Sequence, residues 1–407
     1  MLTLEEAQER ILAVITSAAA GLPGIEKVPL ADALGRVVAA DVLAPLDLPL
    51  FDNSAMDGYA VRAADVTGAS PEKSAALRCV GRVAAGEMFA GEVGAGECVR
   101  LFTGSPLPRG ADAVVMQEDT QTDPAQSATV RVLDVARPWE NVRLRGEDVK
   151  RGALLLAAGE RLTAGRIGLL AALGFAGITA VRRPVVGLLA TGSELRESCA
   201  PLGPGEIYES NRALLAPLVR AAGAEARVYP LVPDTAEATR TALDRALAEC
   251  DAVITSGGVS VGEFDFVKSA FEQLGGTLDL WKVAIKPGKP FVFGRLNGKC
   301  LFGLPGNPIS GLVTFLLLVR PALLKMQGTR ATSLAAHPGV LAEPLVNRGD
   351  RRHFMRVKVD EEGRVHLAGM QASHALGALA AANALVEVPL RTTLPAGSAV
   401  RVLRWEI

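Results

Sequence analysis

Residues 255–268 read TSGGVSVGEFDFVK; they follow the apolar run Ala252-Val253-Ile254 and lead into SAFEQL. A short apolar run that stops at glycines reads as a buried strand, and the residues after Glu263 read as a helix. The stretch is therefore a strand-to-helix joint. It carries the pair Gly257-Gly258, the hydroxyls of Ser256 and Ser260, the carboxylates of Glu263 and Asp265, and Lys268. Two readings are open for it. Acidic residues at a helix start are favoured by the helix dipole and need no ligand. Alternatively, the glycines and hydroxyls form an anion site beside a cation site made by the carboxylates.

Working outward, residues 184–330 repeat the same rhythm. The strand PVVGLLAT precedes the helix NRALLAPLVRAAG. The strand RVYPLV precedes AEATRTALDRALAE, a helix opened by Asp234-x-x-Glu237. KPFVFGRL, GKCLFGLPGNP and the helix SGLVTFLLLV close the series. Such alternation predicts a mostly parallel sheet with helices on both faces, whose ligands collect outside the carboxyl ends of the strands. Three of those ends carry unusual loops: LLATGSEL (188–195), ITSGGVSVGEFD (254–265) and LFGLPGNPIS (301–310). WKVAIKPGKPFVFG adds Lys282, Lys286 and Lys289. Together the loops offer Ser and Thr hydroxyls, three lysines and the carboxylates Glu194, Glu263 and Asp265. No GxxxxGK[ST] or GxGxxG occurs, so the site is not a common nucleotide motif; GSE at 192–194 is no nucleophile elbow, and without a His nearby a Ser triad does not fit.

The rest of the chain has a different texture. Thr3-x-x-Glu6 is a capping box ahead of an amphipathic helix over residues 3–20. Residues 1–45 and 148–183 read as two segments of one helical domain, and 46–147 as a β-rich domain inserted between them. Residues 331–407 are short strands and turns.

Composition narrows the function. Of 407 residues, 49% are apolar and the net charge is −1, without the basic cluster that nucleic acid requires. MLTLEEAQER has no secretory pattern, and the longest apolar stretch is cut by Arg320 and Pro321, so no membrane span is expected. The five Cys at 79, 98, 199, 250 and 300 form no CxxC, which fits a reducing cytoplasm. All four His (337, 353, 366 and 374) lie in the last quarter. A metal held by the earlier loops would have oxygen ligands, which suits Mg²⁺ rather than zinc.

FDNSAMDGYAVR, TGSPLPRGADAVV, RGEDVKRG, ATGSEL, GEIYESN, SGGVSVGEFDFVK, KPGKPFVFG and GLPGNPIS stand here in one order. Together they resemble the molybdopterin molybdenumtransferase family, whose eukaryotic relatives include the scaffold gephyrin, over essentially the whole chain. The resemblance implies a multidomain α/β and β fold. Its parts are a split helical domain, an inserted β domain, a parallel α/β molybdopterin-binding domain and a C-terminal β-barrel. It implies a homodimer with a cleft between the α/β domain of one chain and the inserted domain of the other. The implied substrates are adenylylated molybdopterin, received from an upstream adenylyltransferase, and molybdate, with AMP released.

By motif the resemblance implicates Asp57, Thr103, Asp148, Glu194, Asp234 and Asp265 in catalysis, with Glu194 and Asp265 on Mg²⁺. It implies substrate binding by Ser256, Gly257, Gly258, Ser260, Lys282, Lys286, Lys289, Pro305, Pro308, Ser310, Arg356 and Ser373. On their own residues, Asp57, Thr103 and Asp148 read as turn positions. Ser193 stands where the family commonly has Asp, and Glu263-Phe264 precedes Asp265 in its motif. Two other functions share parts of this pattern. One is molybdopterin adenylylation, or another enzyme built on the α/β domain; against it stands the inserted domain with FDNSAMDGYAVR. The other is a gephyrin-like scaffold without catalysis; against it stand the retained carboxylates.

Overall fold

A computed structural model describes residues 1–18, 24–84, 86–122, 128–258 and 266–405. The chain forms two compact units: residues 1–40, 158–164 and 177–407 make one, and residues 41–157 and 165–176 the other.

In the first unit the central sheet has six strands in the order Glu225–Val228, Val185–Ala190, Ala252–Ser256, Lys299–Leu304, Pro290–Leu296, Thr277–Lys282. The first four run parallel, and the last two form an antiparallel edge. The three inner parallel strands are almost wholly apolar and buried, as a sheet covered on both faces requires, while the outer strand Glu225–Val228 is partly exposed. One face packs Leu215, Val219, Leu312, Phe315 and Leu323; the other packs Leu243, Leu247, Val267 and Phe271.

The helical run Pro308–Met326 has the length and apolar composition to cross a membrane, yet 83% of it is buried inside this core. It opens its register to π geometry over Phe315–Val319, just before Pro321. Proline has no N–H for the carbonyl four residues earlier, which is that of Leu317. The side chain of Gln8 donates to that carbonyl at 2.8 Å. Gln8 lies on the helix Leu4–Ala18, whose capping box forms as expected: Thr3 N donates to Glu6 Oε2 at 2.8 Å and Glu6 N to Thr3 Oγ1 at 3.2 Å. The chain on either side of the inserted segment comes back together, since Ile25–Pro29 pairs antiparallel with Gly177–Val181.

The last quarter closes into a barrel. Strands Arg352–Val359, Arg364–Leu367, Ala336–Leu341, Ala399–Arg404 and Ala384–Val388 pair in that order, and the last pairs back with the first. Closure leaves no open edge except where Ile285–Lys286 adds in parallel beside Arg352 and His353.

The second unit is built on a six-stranded sheet that holds Gly58–Val61 between Glu97–Leu101 and Ala113–Met116. Its faces bury Tyr59, Val61, Cys98 and Val130 on one side, and Ala60, Val99, Leu101 and Val114 on the other. At Gly58 a Cβ would meet the Val115 carbonyl oxygen at 2.0 Å, so the strand pairing itself demands glycine there.

Candidate active site

The carboxyl ends of the parallel strands meet at Thr191, Ser256 and Leu304. Thr191 N donates to Ser256 O at 3.1 Å, and Gly257 N to Leu304 O at 3.2 Å. Gly257 and Gly258 have φ of +88° and +65°. A Cβ at Gly257 would stand 2.6 Å from the Thr191 carbonyl oxygen, and one at Gly258 3.0 Å from Thr191 Oγ1. The glycine pair is therefore set by a left-handed turn pressed against the neighbouring strand end. Ser260, Glu263 and Asp265 lie outside the described residues.

Asp234 does not cap its helix. The cap is Thr235, whose Oγ1 accepts from Ala238 N at 3.2 Å, ahead of Ala236–Glu249. Asp234 is drawn instead to the neighbouring loop, where its Oδ2 accepts from Ser193 N at 2.9 Å and its own N–H donates to Ser193 Oγ at 3.2 Å. This exchange fixes the turn that carries Glu194, an exposed carboxylate.

Asn211, which sequence reasoning passed over, links two of the loops. Its Nδ2 donates to Ser256 Oγ at 2.6 Å and to Gly306 O at 2.7 Å. Among the described residues its Oδ1 and the Oγ1 of Thr191 are buried without a partner. The signal was present in GEIYESN: Glu209 Oε1 accepts from the N–H groups of Asn211 and Arg212, while Arg212 reaches Glu197, Glu209 and the Tyr229 carbonyl.

The cationic side is assembled by the barrel. Lys286, at the end of the strand Ile285–Lys286, and Lys289 just beyond it are exposed, and the turn between them is held by Gly288, whose Cβ would come 2.6 Å from Thr314 Cγ2. Lys286 is the register partner of His353. Arg356, three residues along that strand, is 0% exposed. Its Nη2 donates to the carbonyls of Met370 at 2.6 Å and Ala372 at 3.2 Å, while Nε and Nη1 are buried and unpaired among the described residues. Burial lowers its pKa, and no carboxylate offsets that. Ser373 lies next along the loop, and its carbonyl accepts from Ile309 N at 3.2 Å. This joins it to the segment with buried Pro305, Pro308 in the first helical turn, and buried Ser310. Lys282 ends the edge strand, where its carbonyl accepts from Leu2 N at 3.1 Å.

In the second unit, Asp57 Oδ1 accepts from both the N–H and the hydroxyl of Thr103, each at 2.8 Å. These bonds, the backbone one first, hold the Asp57 carboxyl below its usual range. Asp148 is exposed on a third loop, where its N–H donates to Leu48 O at 3.1 Å. Gly146, in the same turn, donates to Pro49 O at 3.0 Å. Asp57 and Thr103 are thus joined directly, while the Asp148 turn is held by the backbone of Leu48 and Pro49.

The chain matches known families over three regions. Residues 2–174 match the family described as MoeA N-terminal region (domain I and II). Residues 187–325 match a probable molybdopterin binding domain, and 338–405 the MoeA C-terminal region (domain IV). A molybdopterin molybdenumtransferase of Haemophilus influenzae is 38% identical over 99% of this chain and 98% of its own. One of Bacillus subtilis is 36% identical over 93% of this chain and 89% of its own. A crystal structure of the molybdopterin biosynthesis MoeA protein of Pyrococcus horikoshii superposes with a TM-score of 0.86 at 30% identity, covering 100% of both chains.

Proposed function

Since this chain belongs to the molybdopterin molybdenumtransferase family, we propose a residue-level account of how it works. The chain is a transferase of molybdenum cofactor biosynthesis that inserts molybdenum into molybdopterin. In our reading molybdate is the metal donor and adenylylated molybdopterin the acceptor. The phosphoanhydride is split, molybdenum enters the dithiolene and AMP leaves.

The observation that carries the molybdate assignment is Arg356. A wholly buried guanidinium with two unpaired donor nitrogens and no carboxylate is costly unless an anion completes it. A tetrahedral dianion does so, with Lys286, Lys289, Ser310 and Ser373 adding donors. The pterin substrate lies along the strand-end loops, against Ser256, Gly257, Gly258, Ser260, Lys282, Pro305 and Pro308. Asp234 keeps the Glu194 turn in place, and Asp57, Thr103 and Asp148 complete the site from a second chain of a homodimer. The upstream adenylyltransferase supplies the substrate in the cytoplasm, a setting that suits five free thiols.

Mg²⁺ fits the donor set of the strand-end loops, which is oxygen alone. Among the described residues no group of three or more His, Cys, Asp or Glu converges. Binding there would rest on Glu194 and Asp265, with substrate phosphate oxygens filling the other positions, the mode Mg²⁺ commonly takes. When bound it would neutralise charge building on the anhydride.

The test is incubation of the purified protein with adenylylated molybdopterin, molybdate and Mg²⁺, following AMP and protein-bound molybdenum cofactor together. Both should rise in proportion and require molybdate. Consumption of ATP to adenylylate molybdopterin would instead support the adenylyltransferase reading.

A further inference from the structure

We propose that Asn211 is a positioning residue for this reaction: it holds Ser256 with its hydroxyl proton turned toward the substrate. The amide orientation follows from its partners. Gly306 O, at 2.7 Å, can only accept, so the nitrogen of the Asn211 amide must face it. The same nitrogen then donates its second proton to Ser256 Oγ at 2.6 Å. Ser256 is buried, and among the described residues its hydroxyl proton has no acceptor. A buried hydroxyl that already accepts is poised to donate, and it stands at the strand end where an oxyanion of the substrate would bind.

A second observation points to a ligand at the same place. Among the described residues Thr191 Oγ1, across the glycine turn, is buried without a partner, as is Asn211 Oδ1. The open Thr191 hydroxyl beside the donating Ser256 hydroxyl suits a molecule that presents an N–H close to an oxyanion. Molybdopterin has both, in its pterin ring and its phosphate. The inference rests on the reading of the function given above.

The experiment is a double-mutant cycle on binding of molybdopterin itself, without turnover, with melting temperature recorded in parallel. Asn211→Asp keeps the shape but replaces the donor by an acceptor, which takes the Ser256 proton for itself. Binding should weaken by about tenfold or more, and Ser256→Ala should weaken it similarly. The double variant should be no weaker than Ser256→Ala alone, because Asn211 acts through that hydroxyl. If Asn211→Asp does not fold, Asn211→Ala carries the same cycle without a charge. Losses that multiply in the double variant, or full affinity in Asn211→Asp, would reduce Asn211 to a splint between loops. Wild-type protein that fails to bind molybdopterin would overturn the functional reading and this inference with it; wild type that binds while the losses multiply overturns the inference alone.

Discussion

At the scale of single residues, burial lowers the pKa of two bases with different consequences. His353 is 4% exposed, with Nε2 unpaired among the described residues. Burial first, then the positive charges of Lys286, Arg356 and Arg351, push its pKa down from 6.5 to about 4. A depressed folded pKa means that folding favours the neutral ring. Its stabilisation is complete above pH 6.5 and is lost as pH falls through about 4. The loss should be on the order of 2–3 kcal/mol. Melting temperature should therefore drop between neutral pH and about pH 4.5, and His353→Gln, which cannot charge, should flatten that part of the profile. An equal slope in the variant would assign the loss elsewhere. Arg356 cannot shed its charge, so its burial is a standing cost. Arg356→Met removes that cost and forfeits two hydrogen bonds to carbonyls, each worth about 1 kcal/mol net. The variant should melt no lower than wild type while its molybdate requirement rises by ~10-fold or more. A lower melting temperature with unchanged molybdate dependence would make Arg356 a structural residue.

At the scale of elements, the joint between the helix Leu4–Ala18 and the core run Pro308–Met326 turns on one hydrogen bond. Gln8 supplies a donor to the Leu317 carbonyl, for which Pro321 has none. Gln8→Leu keeps the apolar contact but removes that donor, and should cost ~1–3 kcal/mol by denaturant unfolding; a change within error would mean that the opened helix turn satisfies the carbonyl unaided. The comparison of sequence with structure is sharpest at this scale. The capping box at Thr3 and Glu6, the parallel strands and the glycine pair were legible because each depends on neighbours in sequence or on a simple apolar period. Asp234 was misread because its winning partner, Ser193, lies 41 residues away. Once that bond took the carboxylate, Thr235 became the cap. Gln8 was invisible for the same reason, since a polar residue on a helix shows no sign of a distant acceptor; Asn211 stands in the quoted motif GEIYESN, but nothing local there tells that its partners are Ser256 and Gly306. The burial of Arg356 needed the closed barrel, and closure comes from strand pairings that no local pattern encodes.

At the scale of the whole molecule, the proposed site draws on two surfaces. Asp57 and Thr103 belong to one compact unit and Glu194 to the other. Each set is only partly furnished alone: Asp57 bonds Thr103 within its own sheet, and Glu194 is exposed on a turn. Our reading lets the two sets meet between chains of a homodimer, and subunit exchange tests it. Asp57→Ala and Glu194→Ala should each be inactive as a pure dimer. Mixed and allowed to exchange, half the dimers become heterodimers. In a heterodimer one cleft carries both lesions and the other carries neither. Activity should then recover to roughly a quarter of wild type, since half the dimers hold one sound cleft of two. The recovery should grow with the extent of exchange, followed by mass-tagged subunits, and disappear if exchange is blocked by cross-linking beforehand. Complete exchange without recovery would place all of these residues in a single-chain site and remove the reason for the dimer.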